Sequence, residues 1–480
     1  MAKTDNSYRS ILKATSLFGG VQVVQILINL IRGKFVAMFL GPEGMGISSM
    51  FTSASNTIQR FASLGLNLAI VKEVATDGEN NNTLAVASRL IRLTALAGAL
   101  ICALFALPLS RLTFGSDSFA WQFVILAAGV FLAVESTGKL SILQGLHKVK
   151  DISRGTIIGS LTGLFVGVPL YYFFGNKGIV PAIVLLSLSL YISYSLPLRK
   201  LTASNTKFCW KDHYPLIKRL IILGIVLMAN DLLSTLTTYL INIFIRSNGS
   251  ESAVGLYQAA YSITNQYSGV IFATLAMDYF PRLSEAASDT GKMNQLVNRQ
   301  TEIVALLMAP AATLLILSSP LAIRILLTPD FFPILDLMRW MGLGILIRAL
   351  SLPMGYISFA KGNKKLFFWM EGIGCNLLTL LLSCIFFHFF GLIGLGYALV
   401  ADNSICLITY YCVNRSIYDY RFSATSLRLL SVSLSIGIIG FIASQFSSEP
   451  VSYTLMAAIF ILSLIIAYKS LRQKTHNQEA

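Results

Sequence analysis

Long apolar blocks recur along the whole chain, among them Ala95–Leu109, Ile179–Leu198 and Met456–Tyr468. An α-helix crosses roughly 30 Å of hydrocarbon in about 20 residues. Runs of this kind, repeated this often, need a solvent other than water. Charged residues make up 12% of the 480 positions, against about 25% in a soluble globular chain. That deficit excludes an ordinary cytosolic, collagen-like or disordered protein, although the chain carries 35 Gly and 13 Pro. The expected fold class is an all-α polytopic membrane protein.

Cutting at Gly, Pro, Asn and charge clusters predicts about fourteen transmembrane helices. The first six cover 14–39, 45–70, 87–110, 119–143, 153–174 and 178–198. The next six cover 216–246, 254–279, 303–327, 333–357, 367–389 and 391–414, and a final pair covers 426–446 and 451–470. This divides the chain into an N-lobe (1–198), a cytoplasmic connector (199–215), a C-lobe (216–415), and a C-terminal helix pair with a cytoplasmic tail (416–480). No loop is long enough for a soluble domain. The opening residues have no apolar core followed by a small-residue cleavage site, so the first span is expected to stay in the mature protein.

Lys plus Arg number 37 and Asp plus Glu 22, a net +15. In a soluble chain that excess would suggest nucleic acid, but here the positive-inside rule accounts for it. With both termini in the cytoplasm, 28 of the cations fall in cytoplasmic segments and six, Arg32, Lys34, Arg111, Lys177, Arg246 and Arg324, at the outer side. Arg60, Arg339 and Arg348 fall within spans. The six cysteines, Cys102, Cys209, Cys375, Cys384, Cys406 and Cys412, lie mostly in apolar stretches without metal-ligand spacing. They are expected to be small buried hydrophobes, neither disulfides nor a metal site.

The chain also repeats itself. A shift of 209 residues carries Gly46, Ser53 and Asn56 onto Gly255, Ser262 and Asn265. Six spans per unit is even, so the two lobes are expected to be parallel repeats with a shared site at their interface. Polar residues stand at helical spacing in both. Gln22, Gln25, Asn29 and Arg32 form one stripe, and Ser49, Thr52, Ser53, Asn56, Gln59, Arg60 and Ser63 a wider face. Asp231, Thr235, Thr238 and Asn242, then Gln258, Ser262, Asn265 and Ser268, mirror them. Lipid-facing helices cannot display such stripes. They either hydrogen-bond helices together or line a water-filled cavity between two lobes, and their fourfold occurrence favours the cavity.

A charge within the membrane costs several kcal/mol and is functional by default. Arg32, Arg60, Arg246 and Arg348 are the cations of interest, because a guanidinium fork matches phosphate oxygens and stays charged. Arg32 and Arg246 are alternatively interfacial and snorkelling, and Arg348 is alternatively paired with Asp336 or Asp402. Glu135 and Lys139, four residues apart, form a neutralised pair. Asp231 has no cation one turn away and is the candidate for proton or cation coupling, or alternatively packs with a neighbouring Arg. Asp278, Glu371 and Asp402 are weaker candidates, and His388 is structural. Pro310 and Pro320 are expected to interrupt the ninth span, and Pro353 falls late in the tenth. No P-loop, paired catalytic carboxylates or metal cluster occurs, so an ATP-driven pump and an enzyme are not expected, nor is a cofactor.

Leu17-Phe18-Gly19-Gly20-Val21-Gln22-Val23-Val24, then Arg32 with Lys34, then Gly41-Pro42-Glu43-Gly44-Met45-Gly46, resemble the opening of Wzx-type lipid-linked oligosaccharide flippases. Ser63-Leu64-Gly65-Leu66 and Val71-Lys72-Glu73-Val74-Ala75 fit the same opening, so the match covers about 75 residues. These are O-antigen and common-antigen translocases of the polysaccharide transport family, within the multidrug/oligosaccharidyl-lipid/polysaccharide exporter superfamily. The resemblance implies a V-shaped, alternating-access protein of the bacterial inner membrane that moves an undecaprenyl-diphosphate-linked glycan to the outer leaflet. It implies that Arg32 and Arg60 hold the diphosphate, with Arg246 and Arg348 resting on the residue pattern alone. It also implies a monomer that works beside polysaccharide polymerase machinery, in the lipid bilayer and without nucleic acid. Its rivals are an ion-coupled drug or cation antiporter of the same superfamily, a membrane-embedded polymerase or glycosyltransferase, and an assembly scaffold. The antiporter would want acidic cavity residues, where this chain has arginines.

Overall fold

The computed structural model describes residues 2–199, 214–446 and 449–479. Most of the 199–215 connector, including Lys200, Lys207, Cys209 and Lys211, lies outside the described residues. No β-strand occurs among those described. The chain begins with α1 (Ala2–Ser63), α2 (Leu66–Asp77), α3 (Asn81–Leu104), α4 (Ala106–Phe114), α5 (Ala120–Gly145), α6 (Val149–Phe174) and α7 (Ile179–Leu198). After the connector come α8 (Tyr214–Asn248), α9 (Glu251–Ala286), α10 (Thr290–Leu326), α11 (Leu335–Gly355), α12 (Ile357–Ala360) and α13 (Lys364–Phe367). A π-helical stretch, Phe368–Cys375, leads into α14 (Asn376–Phe390), followed by α15 (Gly394–Tyr418), α16 (Ala424–Ser444) and α17 (Glu449–Glu479).

Among the described residues nine stretches are long and apolar enough to cross a membrane. Three are double length: Gly20–Ser63 (44 residues), Val149–Leu198 (50) and Lys364–Tyr418 (55). Each is broken at a glycine with positive φ, namely Gly41, Gly175 and Gly391. At about 20 residues per crossing, each supplies two spans. With α8, bent between Tyr214–Ile225 and Met228–Asn248, this gives about thirteen crossings; the 36-residue α9 is long enough for a further one but is not among the apolar stretches. The protein is an all-α multi-pass membrane protein.

The helices group into two compact units, residues 1–255 and 256–480. The sequence repeat assigns 216–255 to the second lobe, whereas packing groups it with the first, because α8 lies along α1 and α2. The first unit is built on one cluster. Leu66, Ala69, Ile70 and Val74 of α2, at the three- and four-residue spacing of one helix face, pack on Leu90, Ile142, Tyr194 and Leu220. In the second unit Tyr279, Met293, Met354, Cys406, Tyr410 and Tyr420 form a cluster. There α16 and α17 pack on α10. Buried Glu302 accepts from Ser426 Oγ at 2.8 Å, and Asn298 donates to the Arg421 carbonyl at 2.9 Å.

Pro310 and Pro320 do not interrupt their span as expected: α10 runs unbroken through both. Proline removes a backbone donor and leaves the carbonyl four residues earlier unpaired. The carbonyl left by Pro320 is that of Ile316, and Ser319 Oγ donates to it at 2.7 Å. A neighbouring hydroxyl therefore satisfies the group that lipid could not.

Candidate functional site

Beyond Gly41 the second part of α1 presents the wide polar face read from the sequence. Gln59 Nε2 donates to Ser55 Oγ at 2.8 Å, and Thr52 and Thr57 bond back to carbonyls of their own helix. Ser53 lies deeper and accepts from Asn242 Nδ2 of α8 at 3.3 Å. Asn56 is exposed. The α8 stripe runs beside it, with Thr235 and Thr238 bonded to the carbonyls of Asp231 and Ser234. One polar pair of these faces, Asn242 with Ser53, thus glues helices together, and Ser49 and Ser63 are also buried, while Thr52, Asn56 and Arg60 are exposed.

The open part holds an ion pair. Arg60, in the last turn of α1, sets Nη1 3.1 Å from Oδ2 of Asp231 on α8. Asp231 has no cation one turn away on its own helix; the arginine beside it, the alternative to a coupling role, is 171 residues away in the chain and invisible to helical spacing. The two side chains are 50% and 59% exposed. An exposed pair contributes only ~0–1 kcal/mol, so both groups are available to a competing ligand.

Just beyond Arg60 the chain turns at Leu64 and Gly65, both at positive φ. A methyl group on Gly65 would fall on the Gly224 carbonyl of α8, and one on Gly224 would meet the Leu64 carbonyl. Only glycine permits this approach. Past the contact, Arg219 of α8 pairs with Glu73 of α2. Both line a cavity of about 580 Å³ together with Lys72, Thr76 and Asp77. Two ion pairs therefore flank one glycine-on-glycine crossing.

Gln22, Gln25, Asn29 and Arg32 lie in the first part of α1, where Gln22 is exposed and the other three are half-buried. Arg32 Nη2 donates to Asn29 Oδ1 at 3.4 Å, so the stripe is a local unit held by its own helix. Arg246, near the end of α8, packs its guanidinium against the backbone at Gly115. Nearby, Thr113 and Tyr239 share a 2.5 Å hydrogen bond. Arg348, exposed on α11, does not pair with Asp336 or Asp402. Its guanidinium lies 5.8 Å from the Phe272 ring centroid. Asp336 is taken by Arg339 at 3.0 Å and Asp402 by the Thr379 hydroxyl at 2.9 Å. Asn265 is half-buried on α9.

Sequence reasoning undervalued one arrangement in the second unit. Glu371, Cys375 and Thr379, each four residues apart, face Tyr410, Cys406 and Asp402 of α15. The Tyr410 hydroxyl donates to Glu371 Oε1 at 2.6 Å, the Cys375 and Cys406 sulfurs lie 3.4 Å apart, and Thr379 bonds Asp402. The matched spacing of four on two neighbouring spans was legible. These cysteines are accordingly partners in a polar ladder rather than inert apolar filler, and Cys412 is exposed. No group of three or more His, Cys, Asp or Glu able to hold a metal occurs among the described residues.

Residues 35–336 match the family described as polysaccharide biosynthesis protein. The lipid III flippases of Escherichia coli (strain K12) and Shigella flexneri are each 22% identical over 369 residues, 75% of this chain and 88% of theirs. Among solved structures, the lipid II flippase MurJ in an inward closed conformation is similar with a TM-score of 0.72 and 14% identity. That likeness covers 97% of this chain and 99% of that one. A multidrug resistance MATE family transporter of the MOP superfamily, inward-facing, follows at 0.69 and 17%, over 84% of this chain and 98% of that one. At such identities the structural likeness speaks to fold alone.

Proposed function

The chain belongs to the polysaccharide biosynthesis protein family, and on that premise we propose that it is a flippase for an undecaprenyl-diphosphate-linked oligosaccharide, an O-antigen or common-antigen repeat unit. It moves this lipid from the cytoplasmic to the outer leaflet of the bacterial inner membrane by alternating access, with both termini in the cytoplasm. It is a transporter and makes or breaks no covalent bond. The names of its flippase relatives support this reading, and the observation that carries it is the half-exposed Arg60–Asp231 pair on a polar helix face.

The diphosphate displaces Asp231 from Arg60. A diphosphate brings more than one negative charge and several acceptor oxygens to the guanidinium where Asp231 brings one charge, so the exchange runs toward the ligand. Asp231, released, becomes the group that takes a proton or cation to reset the cycle. Gln22, Gln25, Asn29, Asn56 and Asn265 offer donors and acceptors to the glycan, and Arg32, Arg246 and Arg348 add positive charge along its route. The polyprenyl tail stays in lipid. The protein acts as a monomer beside the polymerase machinery that consumes the glycan.

The test is reconstitution. Purified protein in liposomes loaded with labelled undecaprenyl-diphosphate oligosaccharide is expected to carry label to the opposite leaflet. Absence of transfer for several glycans and imposed ion gradients, with efflux of an organic cation instead, would replace this reading by the antiporter.

A further inference from the structure

A second cationic cavity lies in the first unit, away from the Arg60–Asp231 pair. It holds about 370 Å³ among the start of α3, the end of α5 and the end of α7, and its lining includes Arg89, Arg92, Lys139, Tyr191, Ser195 and Arg199. No acidic side chain lines it among the described residues. Behind the wall stands one carboxylate, Glu135, 3.4 Å from Arg92 Nε and 3.6 Å from Lys139 Nζ. Four cations thus line the space, two of them paired with the one acid behind its wall.

The positive-inside rule puts cations at helix ends, but it does not place them inside a cavity. Lys139 is only 18% exposed, and its ammonium lies 4.6 Å from the Tyr191 ring centroid. An ammonium held there by one carboxylate and one aromatic face is a fixed, largely buried charge in the cavity wall. Asn81, the first residue of α3, also lines the cavity. The positive end of that helix dipole adds to the field. Ser88 and Ser195 supply hydroxyls to the lining. This set is suited to a phosphate monoanion.

The rim identifies the bearer of that phosphate. Ile192 and Leu196 of α7 line the same cavity and are 47% and 55% exposed. In a multi-pass protein such side chains face acyl chains. A free phosphate ion has no use for an apolar rim, whereas a lipid places its phosphate among the cations and its hydrocarbon along Ile192 and Leu196. Basic pockets between helices at the positive side of a membrane bind anionic headgroups by this combination. We propose that this cavity binds the headgroup of an anionic phospholipid of the surrounding leaflet, with Arg89 and Arg199 at its rim and Lys139 at its floor.

Delipidated protein would be titrated with phosphatidylglycerol and, separately, phosphatidylcholine, and bound lipid counted by native mass spectrometry. The wild type is expected to retain phosphatidylglycerol in preference to phosphatidylcholine. Arg89→Gln combined with Arg199→Gln is expected to weaken that retention about twenty-five-fold, at about fivefold for each cation. Excess inorganic phosphate should leave the bound lipid in place. Equal retention of the two lipids, or a preference untouched by the double substitution, would overturn the proposal. Displacement by inorganic phosphate would overturn the lipid as occupant. If the double variant does not fold, the wild-type ratio of the two lipids decides alone.

Discussion

Arg60 closes α1 with its charge at the helix end where the backbone dipole is negative, which favours a cation there. Asp231 answers it from α8 at 3.1 Å. If the two charges hold each other until a diphosphate arrives, removing one charge helps the ligand and removing the other hurts it. Asp231→Asn is expected to tighten binding of undecaprenyl diphosphate about two- to fivefold, the scale of an exposed ion pair. Arg60→Ala should weaken it at least about tenfold, the scale of a charged hydrogen bond. Fluorescence titration in nanodiscs measures both, and equal affinity in all three proteins would remove the exchange. The sequence reveals side-chain partners only where they are close in it. Glu135 and Lys139, four apart, pair as their spacing predicts. Arg60 and Asp231 do not announce themselves, because the pair joins helices far apart in the chain.

At the scale of elements, glycine decides where helices meet. The shift of 209 residues that relates the repeats carries Pro42 to Glu251 and Gly46 to Gly255, and these four residues meet reciprocally. A methyl on Gly46 would fall on the Glu251 carbonyl, and one on Gly255 on the Pro42 carbonyl. Gly46→Ala is expected to destabilise the protein by about 1–3 kcal/mol, the cost of overpacking a tight contact, read as a lowered Tm. Gly33→Ala, with open space around it, should stay within about 0.5 kcal/mol. Equal Tm values for the two variants would contradict the close approach.

Caps fix other element ends. Asp289 accepts the Gly291 and Lys292 N–H groups at 2.9 and 3.1 Å at the start of α10. The Lys292 N–H bond, then that of Gly291 and the charges of Lys292 and Lys361, hold its carboxyl below the usual range, against a smaller upward push from desolvation. A carboxyl depressed in the folded state adds stability above its unfolded pKa and loses it as pH falls through the folded one. Amide exchange at Gly291 and Lys292 should therefore be slower in the wild type than in Asp289→Ala at pH 7. The difference should fade at acid pH, below about 4, and a difference independent of pH would refute the assignment. The breaks at Gly41, Gly175 and Gly391 were legible as turns between spans. The continuity of α10 was not, because a serine hydroxyl rather than a sequence period satisfies the carbonyl that Pro320 leaves free.

For the whole molecule, apolar block length gave the all-α membrane class, because hydrocarbon thickness leaves a helix few choices. The grouping of α8 with the first unit was not legible, since it depends on contacts such as Gly65 with Gly224 that join distant segments. Asn265 and Arg348 belong to the second unit and the Arg60 pair to the first, so the candidate residues read from the sequence are spread over both. The most direct test is leaflet-to-leaflet transfer of labelled undecaprenyl-diphosphate oligosaccharide in liposomes, comparing wild type with Arg60→Ala at equal folded amounts. The account predicts protein-dependent transfer that falls at least about tenfold in the variant. Transfer at the wild-type rate in Arg60→Ala would contradict it.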